Sequence, residues 1–384
     1  MKTFCHYYNE DICRSCSLLE LDYLAQLQSK ESVLREGLKT LQFLPSIRSS
    51  EKAFRNKAKF SVTGTMENPI IGLLGGDDLD QGKEILSCPL HHSKINELLP
   101  DIKKFITNCK LAPYRISERK GELKGLILFH SSQTNQTYLR FVLRSKEPLD
   151  RMKKWIPELI ATHPHLQVVT ANIQPIPHAV LEGKEEIFFT EKLALEHKLG
   201  PIEIKVDPRA FIQTNETISQ KLYETASSWI KDLKLSRFME LYSGLGLFSM
   251  FCASSVDSAM GLEINPSAVE EANRTAHSLG LTHLQFKCMD AEKSLNEMQK
   301  FGPEVVLVNP PRKGIGEGVK IFQQERVPYL IYSSCSHETL ISDLLKLENY
   351  YQIEKVQIFD MFPHTKHFET LVLLKKVVHV SDRL

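Results

Sequence analysis

The second half of the chain alternates short apolar runs with amphipathic stretches. Arg237–Tyr242 (RFMELY), Asp257–Ile264, Leu284–Met289, Glu304–Val308 and Tyr329–Ser333 are apolar runs of strand length, and each predicts a strand. Between them, Leu247–Ala253 (LFSMFCA) is an apolar helix start, and Pro266–Leu279 and His337–Leu347 predict helices, the first of these two with proline in its first turn. Tyr351–Phe359 and Glu369–Lys375 predict two closing strands with no helix between them, so antiparallel pairing is expected there. Strands without polar alternation are buried on both faces, which points to an α/β fold with a mostly parallel sheet under helices. The first half is less regular. Ser17–Leu41 predicts a long amphipathic helix, and Lys57–Thr65, Leu126–Phe129 and Thr137–Leu143 predict strands. A mixed α+β domain over 1–200 and an α/β domain over 201–384 are expected, divided near Gly200–Pro201.

Composition narrows the class. A chain of 384 residues suits two or more domains, and 42% hydrophobic with 25% charged residues is ordinary globular composition. A net charge of +1 excludes a highly charged tail protein. No apolar run approaches the roughly 18 residues of a membrane span. The start, MKTFCHYYNEDICRSC, has no apolar stretch after its positive charge, so no secretory leader and no membrane are expected. Eight cysteines are too sparse for a disulfide scaffold. The expectation is a cytoplasmic enzyme with no obligate protein partner. Its charge is uneven: residues 110–154 hold 11 basic against 4 acidic side chains, and residues 48–59 hold 5 against 1. Such excess fits contact with a phosphate backbone, or simply a solvated basic surface.

In an open parallel sheet, ligands bind beyond the carboxyl ends of the strands. Gly244 and Gly246 follow the first predicted strand, Glu263 ends the second, Asp290 follows the third and Asn309-Pro310-Pro311-Arg312 follows the fourth. Glycines admit a tight turn and a close ligand, and a carboxylate at the second strand end can accept from ribose hydroxyls. Gly244-Leu245-Gly246 lacks the third glycine of a dinucleotide fingerprint, so NAD is disfavoured. The combination resembles class I S-adenosylmethionine-dependent methyltransferases, and an Asn-Pro-Pro stretch after the fourth strand resembles those acting on nucleic-acid bases.

Cys335 ends the fifth strand on the same rim. Carbon 5 of uracil is a poor nucleophile, but a thiolate added at carbon 6 makes an enolate whose carbon 5 can take a methyl group. A base must then remove the carbon-5 proton. Glu369 is the candidate, with His364 and His367 as alternatives.

At this point the chain resembles the RNA uracil-C5 methyltransferases. The matching stretches are Phe211–Asn215 (FIQTN), Glu240–Ser249 (ELYSGLGLFS), Gly261–Ile264 (GLEI), Asn309–Gly316 (NPPRKGIG), Tyr332–Cys335 (YSSC) and Asp360–Glu369 (DMFPHTKHFE). The resemblance implies that Gln213, Tyr242, Glu263 and Asn309 contact S-adenosylmethionine, with Cys335 as nucleophile and Glu369 as base. The family often has Cys where Ser243 stands and Asn where Ser336 stands; the second change could alter how the nucleophile loop is fixed. Cys5, Cys13 and Cys16 form C-x7-C-x2-C, and Cys88 follows beside Pro89. Four thiolates can hold a zinc ion or a [4Fe–4S] cluster; a single C-x2-C pair favours the cluster, and the resemblance implies it as well. Cys109, Cys252 and Cys288 are left over and expected in the core. Within the family the likeness is to members that modify 23S rRNA. Phe54, Arg55, Lys57 and Lys59 are candidates for ring stacking and phosphate contact on a loop uridine. Another rRNA or tRNA uridine, or a non-catalytic iron–sulfur RNA-binding protein, are the alternatives.

Overall fold

A computed structural model describes residues 2–38, 42–75, 78–176, 182–325 and 327–377. It divides into two compact units: Met1–Glu20 with Ser50–Glu216, and Leu21–Ser49 with Thr217–Leu384. No helix among the described residues is long and apolar enough to cross a membrane.

The first unit is built on β1 (Lys57–Gly64), β2 (Pro69–Gly75), β3 (Asp78–Glu84), β4 (Leu123–Ser131), β5 (Gln136–Leu143), β6 (Leu166–Ile173) and β7 (Glu185–Phe188). They form one sheet in the order β3-β2-β1-β4-β5-β6-β7. All pairs are antiparallel except β5 with β6, which the helix Leu149–Thr162 connects. Alternate residues of the central strands, such as Phe60, Leu126, Leu128, Leu139, Phe141 and Val169, pack with Leu98, Ile102 and Ile156 of the helices Ser93–Asn108 and Leu149–Thr162. A separate hairpin, β8 (Leu195–Leu199) and β9 (Ile202–Val206), completes the unit. Its His197 meets the Phe129 ring edge-on at 5.3 Å.

The second unit contains β10 (Arg237–Leu241), β11 (Ser258–Glu263), β12 (Leu284–Cys288), β13 (Val305–Val308), β14 (Tyr329–Ser334), β15 (Tyr351–Phe359) and β16 (Glu369–Lys376). Their order is β12-β11-β10-β13-β14-β16-β15. β10 to β14 are parallel, and β16 is antiparallel to both β14 and β15. Every expected strand of this half is present within a residue or two of its predicted ends. Asn265 caps the helix Pro266–Ser278 by accepting from Ser267 N–H, and proline opens its first turn. Chain order reverses between β10 and β13, which opens a crevice at their carboxyl ends.

The long N-terminal helix differs from expectation. It runs over Tyr23–Gly37, because Asp22 caps it by accepting from Leu24 N–H; residues 39–41 of the predicted helix lie outside the described residues. Its buried face is not purely apolar either: Gln26 and Lys30 are buried beside Leu27 and Leu34. Cys109 and Cys252 are buried as expected, but Cys288 is exposed, its thiol donating to the Ile264 carbonyl at 3.5 Å. It is the last residue of β12, an edge strand with a neighbour on one side alone.

Candidate active site

The crevice is made by backbone that only a few sequences accept. After β10, Tyr242, Gly244 and Gly246 have φ of 62°, 54° and 77°, so the chain turns sharply into the helix Leu247–Cys252. A side chain on Gly244 would meet nothing within 4 Å, whereas a Cβ on Gly246 would lie 2.3 Å from the Phe286 ring. Gly244 therefore faces open space suited to a ligand, and Gly246 serves packing. Glu263 closes the turn from the neighbouring strand: one carboxylate oxygen accepts from Gly244 N–H and the other from Asn265 N–H, both at 2.9 Å. Beneath it, Glu240 is fully buried and accepts from the Ser249 N–H at 2.9 Å and from the Ser249 hydroxyl. Burial, with Glu263 nearby, pushes the Glu240 carboxyl up to about 8. Asp290 caps the turn after β12 by accepting from Glu292 N–H.

Asn309 follows β13 and its N–H reaches the Leu241 carbonyl at 3.4 Å. The loop that follows is tied down by Asp343, a residue that motif reading missed. One Asp343 oxygen accepts from Ile315 N–H and from the Tyr332 hydroxyl, both at 2.9 Å. The same oxygen would lie 2.4 Å from a Cβ on Gly314, so the loop needs glycine there. The sequence carried one signal for this: Asp343 is a buried acid amid the apolar stripe Leu340, Leu344 and Leu347.

Cys335 and Glu369 meet across antiparallel strands. Ser333 pairs with Leu371 and Ser334 with Thr370, and one further step of that register sets Cys335 opposite Glu369. Glu369 is 1% exposed, accepts from the Ser333 hydroxyl at 3.0 Å, and is pushed up to about 7 by burial. Burial and the Glu369 charge push the Cys335 thiol up; the charge of Arg312 and its hydrogen bond to the thiol pull the other way. Ser336 caps the helix His337–Leu347 by accepting from Thr339 N–H, and its own N–H donates to Ser334 Oγ at 3.2 Å. The serine thus fixes the loop that carries Cys335. Of the alternative bases, His364 is buried with Nδ1 3.2 Å from the Gln26 amide nitrogen, while His367 is exposed on the same loop. Tyr242, Glu263, Asn309, Cys335 and Glu369 therefore collect on one rim of the second unit. Gln213 belongs to the first unit, buried in the segment leading into the helix Glu216–Leu233.

The four N-terminal cysteines also come together, within the first unit. Cys5, Cys13, Cys16 and Cys88 share one small cluster with Tyr7, Leu19 and Ile85. Burial and the charges of Cys88, Cys13 and Cys5 push the Cys16 thiol up to about 12. Arg55 turns inward beside Cys88 and Cys16, with its buried Nε lacking a hydrogen-bond partner among the described residues. Among the described residues no three His, Cys, Asp or Glu side chains converge on a position for one metal ion. A four-iron cube asks for less convergence, since each thiolate binds its own iron. The donor set, four thiols in one cluster with the half-buried Arg55 beside two of them, is of the chemistry such a group requires. The basic stretches are less available than their counts suggested. Arg55 is half-buried beside Cys88 and Cys16, Lys59 pairs with Glu182 at 2.7 Å, and Lys57 donates to the Ala210 carbonyl at 3.4 Å. Arg140, only 1% exposed, is held by Glu182 and Glu186 at 2.5 Å each.

Comparison with known proteins agrees with this geometry. Residues 184–377 match the family described as tRNA (Uracil-5-)-methyltransferase. The 23S rRNA (uracil(747)-C(5))-methyltransferase RlmC of Glaesserella parasuis is 40% identical over 97% of this chain and 98% of its own. The protein of the same name from Haemophilus influenzae is 38% identical over 97% of this chain and 98% of its own. Among solved structures, the Pyrococcus abyssi tRNA (uracil-54, C5)-methyltransferase in complex with S-adenosyl-L-homocysteine superposes with a TM-score of 0.78 at 23% identity, covering 94% of this chain and 85% of that one.

Proposed function

Because the chain belongs to the S-adenosylmethionine-dependent RNA uracil-C5 methyltransferases, we propose that it methylates carbon 5 of the uridine of 23S rRNA that its relatives are named for, position 747. The observation that carries the chemistry is the facing of Cys335 and Glu369 on the rim that also bears Gly244, Glu263 and Asn309.

Cys335, as thiolate, adds to carbon 6 of the flipped-out uracil; the S–C6 bond forms and the C5–C6 π pair moves toward the carbonyl at carbon 4. Carbon 5 of that enolate takes the methyl group from the sulfonium, whose S–CH3 bond breaks to leave S-adenosylhomocysteine. Glu369 removes the carbon-5 proton, the C5–C6 double bond reforms, and the S–C6 bond breaks to return the Cys335 thiolate. Arg312 favours the thiolate before attack. A carboxyl with a pKa raised to about 7 is matched to taking a proton near neutrality and passing it to water afterwards. Glu263, held by the two N–H groups, presents carboxylate to the donor's ribose, and Tyr242 and Asn309 on the same rim complete the donor's contacts.

RNA in which the target carries 5-fluorouridine tests the reading. Fluorine cannot leave carbon 5 as a cation, so the protein should remain joined to RNA through Cys335, and C335A should form no adduct. An adduct mapping to another residue, or none from an active preparation, overturns it. Mapping 5-methyluridine in 23S rRNA and tRNA from cells lacking the protein tests the substrate; loss from tRNA with 23S rRNA unchanged would overturn the rRNA assignment.

Cys5, Cys13, Cys16 and Cys88 are assigned to a [4Fe–4S] cluster, which supplies a covalent staple between the N-terminal segment and the strand-to-helix connection at Cys88, since methyl transfer needs no redox step. Arg55 offsets the negative charge of the four thiolates. Anaerobically purified protein should be brown with about four irons per chain; colourless protein with one zinc would refute the assignment.

A further inference from the structure

The second unit contains a buried polar cluster that the reaction above does not use. The loop from Asp360 to Phe368 connects β15 to β16, and its two ends are the register partners Phe359 and Glu369. The helix Tyr23–Gly37 grips this loop at three points. Lys30 Nζ lies 2.6 Å from Asp360 Oδ1 and donates to the Phe362 carbonyl at 3.2 Å. The Tyr23 hydroxyl donates to Asp360 Oδ2 at 2.7 Å. Gln26 accepts from the His364 N–H at 2.9 Å while its amide nitrogen meets His364 Nδ1 at 3.2 Å. Gln26, Lys30, Asp360 and His364 are each 2% exposed or less.

A buried ion pair is a poor device for stability, because desolvation cancels most of the attraction, but it fixes geometry well. Here it fixes the residue next to the partner of Glu369. His364 holds φ of 65°, a left-handed conformation that its two contacts to Gln26 sustain. Beyond it, the Thr365 hydroxyl donates to the Phe362 carbonyl and accepts from His367 N–H. The loop then delivers Phe368 onto the ring of His337, stacked at 5.6 Å and 11°, two residues after Cys335. The end of the loop that carries Glu369 thus also touches the helix that follows Cys335, and the opposite end, Asp360, is the one that Lys30 and Tyr23 hold.

We infer that Tyr23, Gln26 and Lys30 form a positioning clamp that sets the Glu369 carboxylate against the carbon-5 proton, so that the N-terminal helix acts on proton removal without touching substrate. The inference rests on Glu369 being the base.

The test compares K30M, K30R and E369Q, using full-length protein, S-adenosylmethionine and 23S rRNA from cells lacking the enzyme. Turnover, KM for the donor, melting temperature and the RNA–protein adduct surviving denaturing electrophoresis are measured. K30M should lose about 10- to 100-fold in kcat, the scale of a misplaced catalytic group. Its donor KM should stay unchanged, and it should accumulate methylated adduct that the wild type does not, because attack proceeds and elimination waits. K30R should restore most of kcat. Wild-type turnover in K30M, or turnover lost with no adduct, overturns the clamp. If K30M does not fold, Q26L leaves the ion pair intact and carries the same expectation and the same refutation. Adduct in E369Q without adduct in K30M rejects the clamp alone; an E369Q protein that turns over normally rejects the base and the clamp together.

Discussion

In the second unit the polar groups of the candidate site sit where strands end: Glu263 on β11, Asn309 after β13, Cys335 after β14, Glu369 at the start of β16. In the first unit charge lies within the sheet. Arg140 of β5 reaches across β6 to Glu186 of β7, with Asn172 of β6 donating to the same carboxylate at 2.9 Å. Groups at strand ends can be half-desolvated and still meet a substrate, which is what shifts a thiol or carboxyl usefully. Charged groups buried inside a sheet must be paired, and their role is to hold neighbouring strands together. The two arrangements should respond to mutation in opposite ways, through rate in one and stability in the other.

The largest effect expected is on rate. C335A should lower methyl transfer by at least about 10⁴-fold, since without covalent activation carbon 5 is not nucleophilic. Its melting temperature and its calorimetric affinity for S-adenosylmethionine should match the wild type. A variant that lost donor binding as well would place Cys335 in the structural class and break the contrast.

Arg140→Met should do the reverse. Removing one partner strands the Glu186 carboxylate in the sheet, at a cost of about 3–5 kcal/mol in chemical unfolding. Turnover per folded molecule, measured well below the melting temperature, should hold within about two-fold, since paired charges inside a sheet act on stability alone. The double variant R140M/E186L should recover most of the stability, because an apolar pair of similar volume replaces the ionic one.

This contrast also explains how far the chain could be read from its residues. Five parallel strands buried on both faces appear as apolar runs, and the candidate groups follow them at the turns, so β10 to β14 and the placement of those groups at strand ends were legible. β2 (PIIGLLG) and β3 (DLDQGKE) were not, since glycine and acidic residues mask a strand whose partner decides its place. The basic count over 110–154 pointed outward, yet Arg140 points in and Arg144 pairs with Glu122, because linear charge carries no information on what lies across the sheet. Asp343, Gln26 and Lys30 were missed for a related reason. A polar residue on an apolar helix stripe announces that something buried needs it, but only the fold shows what.

Acidity offers an intermediate test. Glu240 and Glu369 are buried carboxyls raised from 4.5 to about 8 and about 7. A raised carboxyl stabilises the fold in its neutral form; that contribution is complete below about pH 4.5 and is lost as pH rises through the folded values. Unliganded protein should therefore be less stable at pH 8.5 than at pH 5.5. E369Q should lose about 1–3 kcal/mol less over that range. Turnover should run the other way, rising through about pH 7 as Glu369 becomes able to accept a proton. Stability flat with pH in both proteins would mean that the Glu369 carboxyl is ionised throughout.

The smallest effect concerns Ser243, a position on the rim where a buried hydroxyl has no partner among the described residues. It sits 3.1 Å from where a Cβ on Gly261 would be, so the two strands are packed too closely for a bridging side chain. An unpaired hydroxyl costs far less than an unpaired charge, which is why the rim tolerates Ser243, and the first unit's sheet tolerates Thr63, Tyr138 and Thr170, while Arg140 there is paired. Ser243→Ala should therefore raise stability by up to about 1 kcal/mol, and Ser243→Cys should be neutral within about 0.5 kcal/mol. Donor KM should move by less than about two-fold in either, the scale expected when no hydrogen bond to the ligand is lost. A several-fold rise in KM for Ser243→Ala, reversed by neither temperature nor salt, would instead show the hydroxyl reaching the bound donor, and would move Ser243 from the packing of the turn into the binding site.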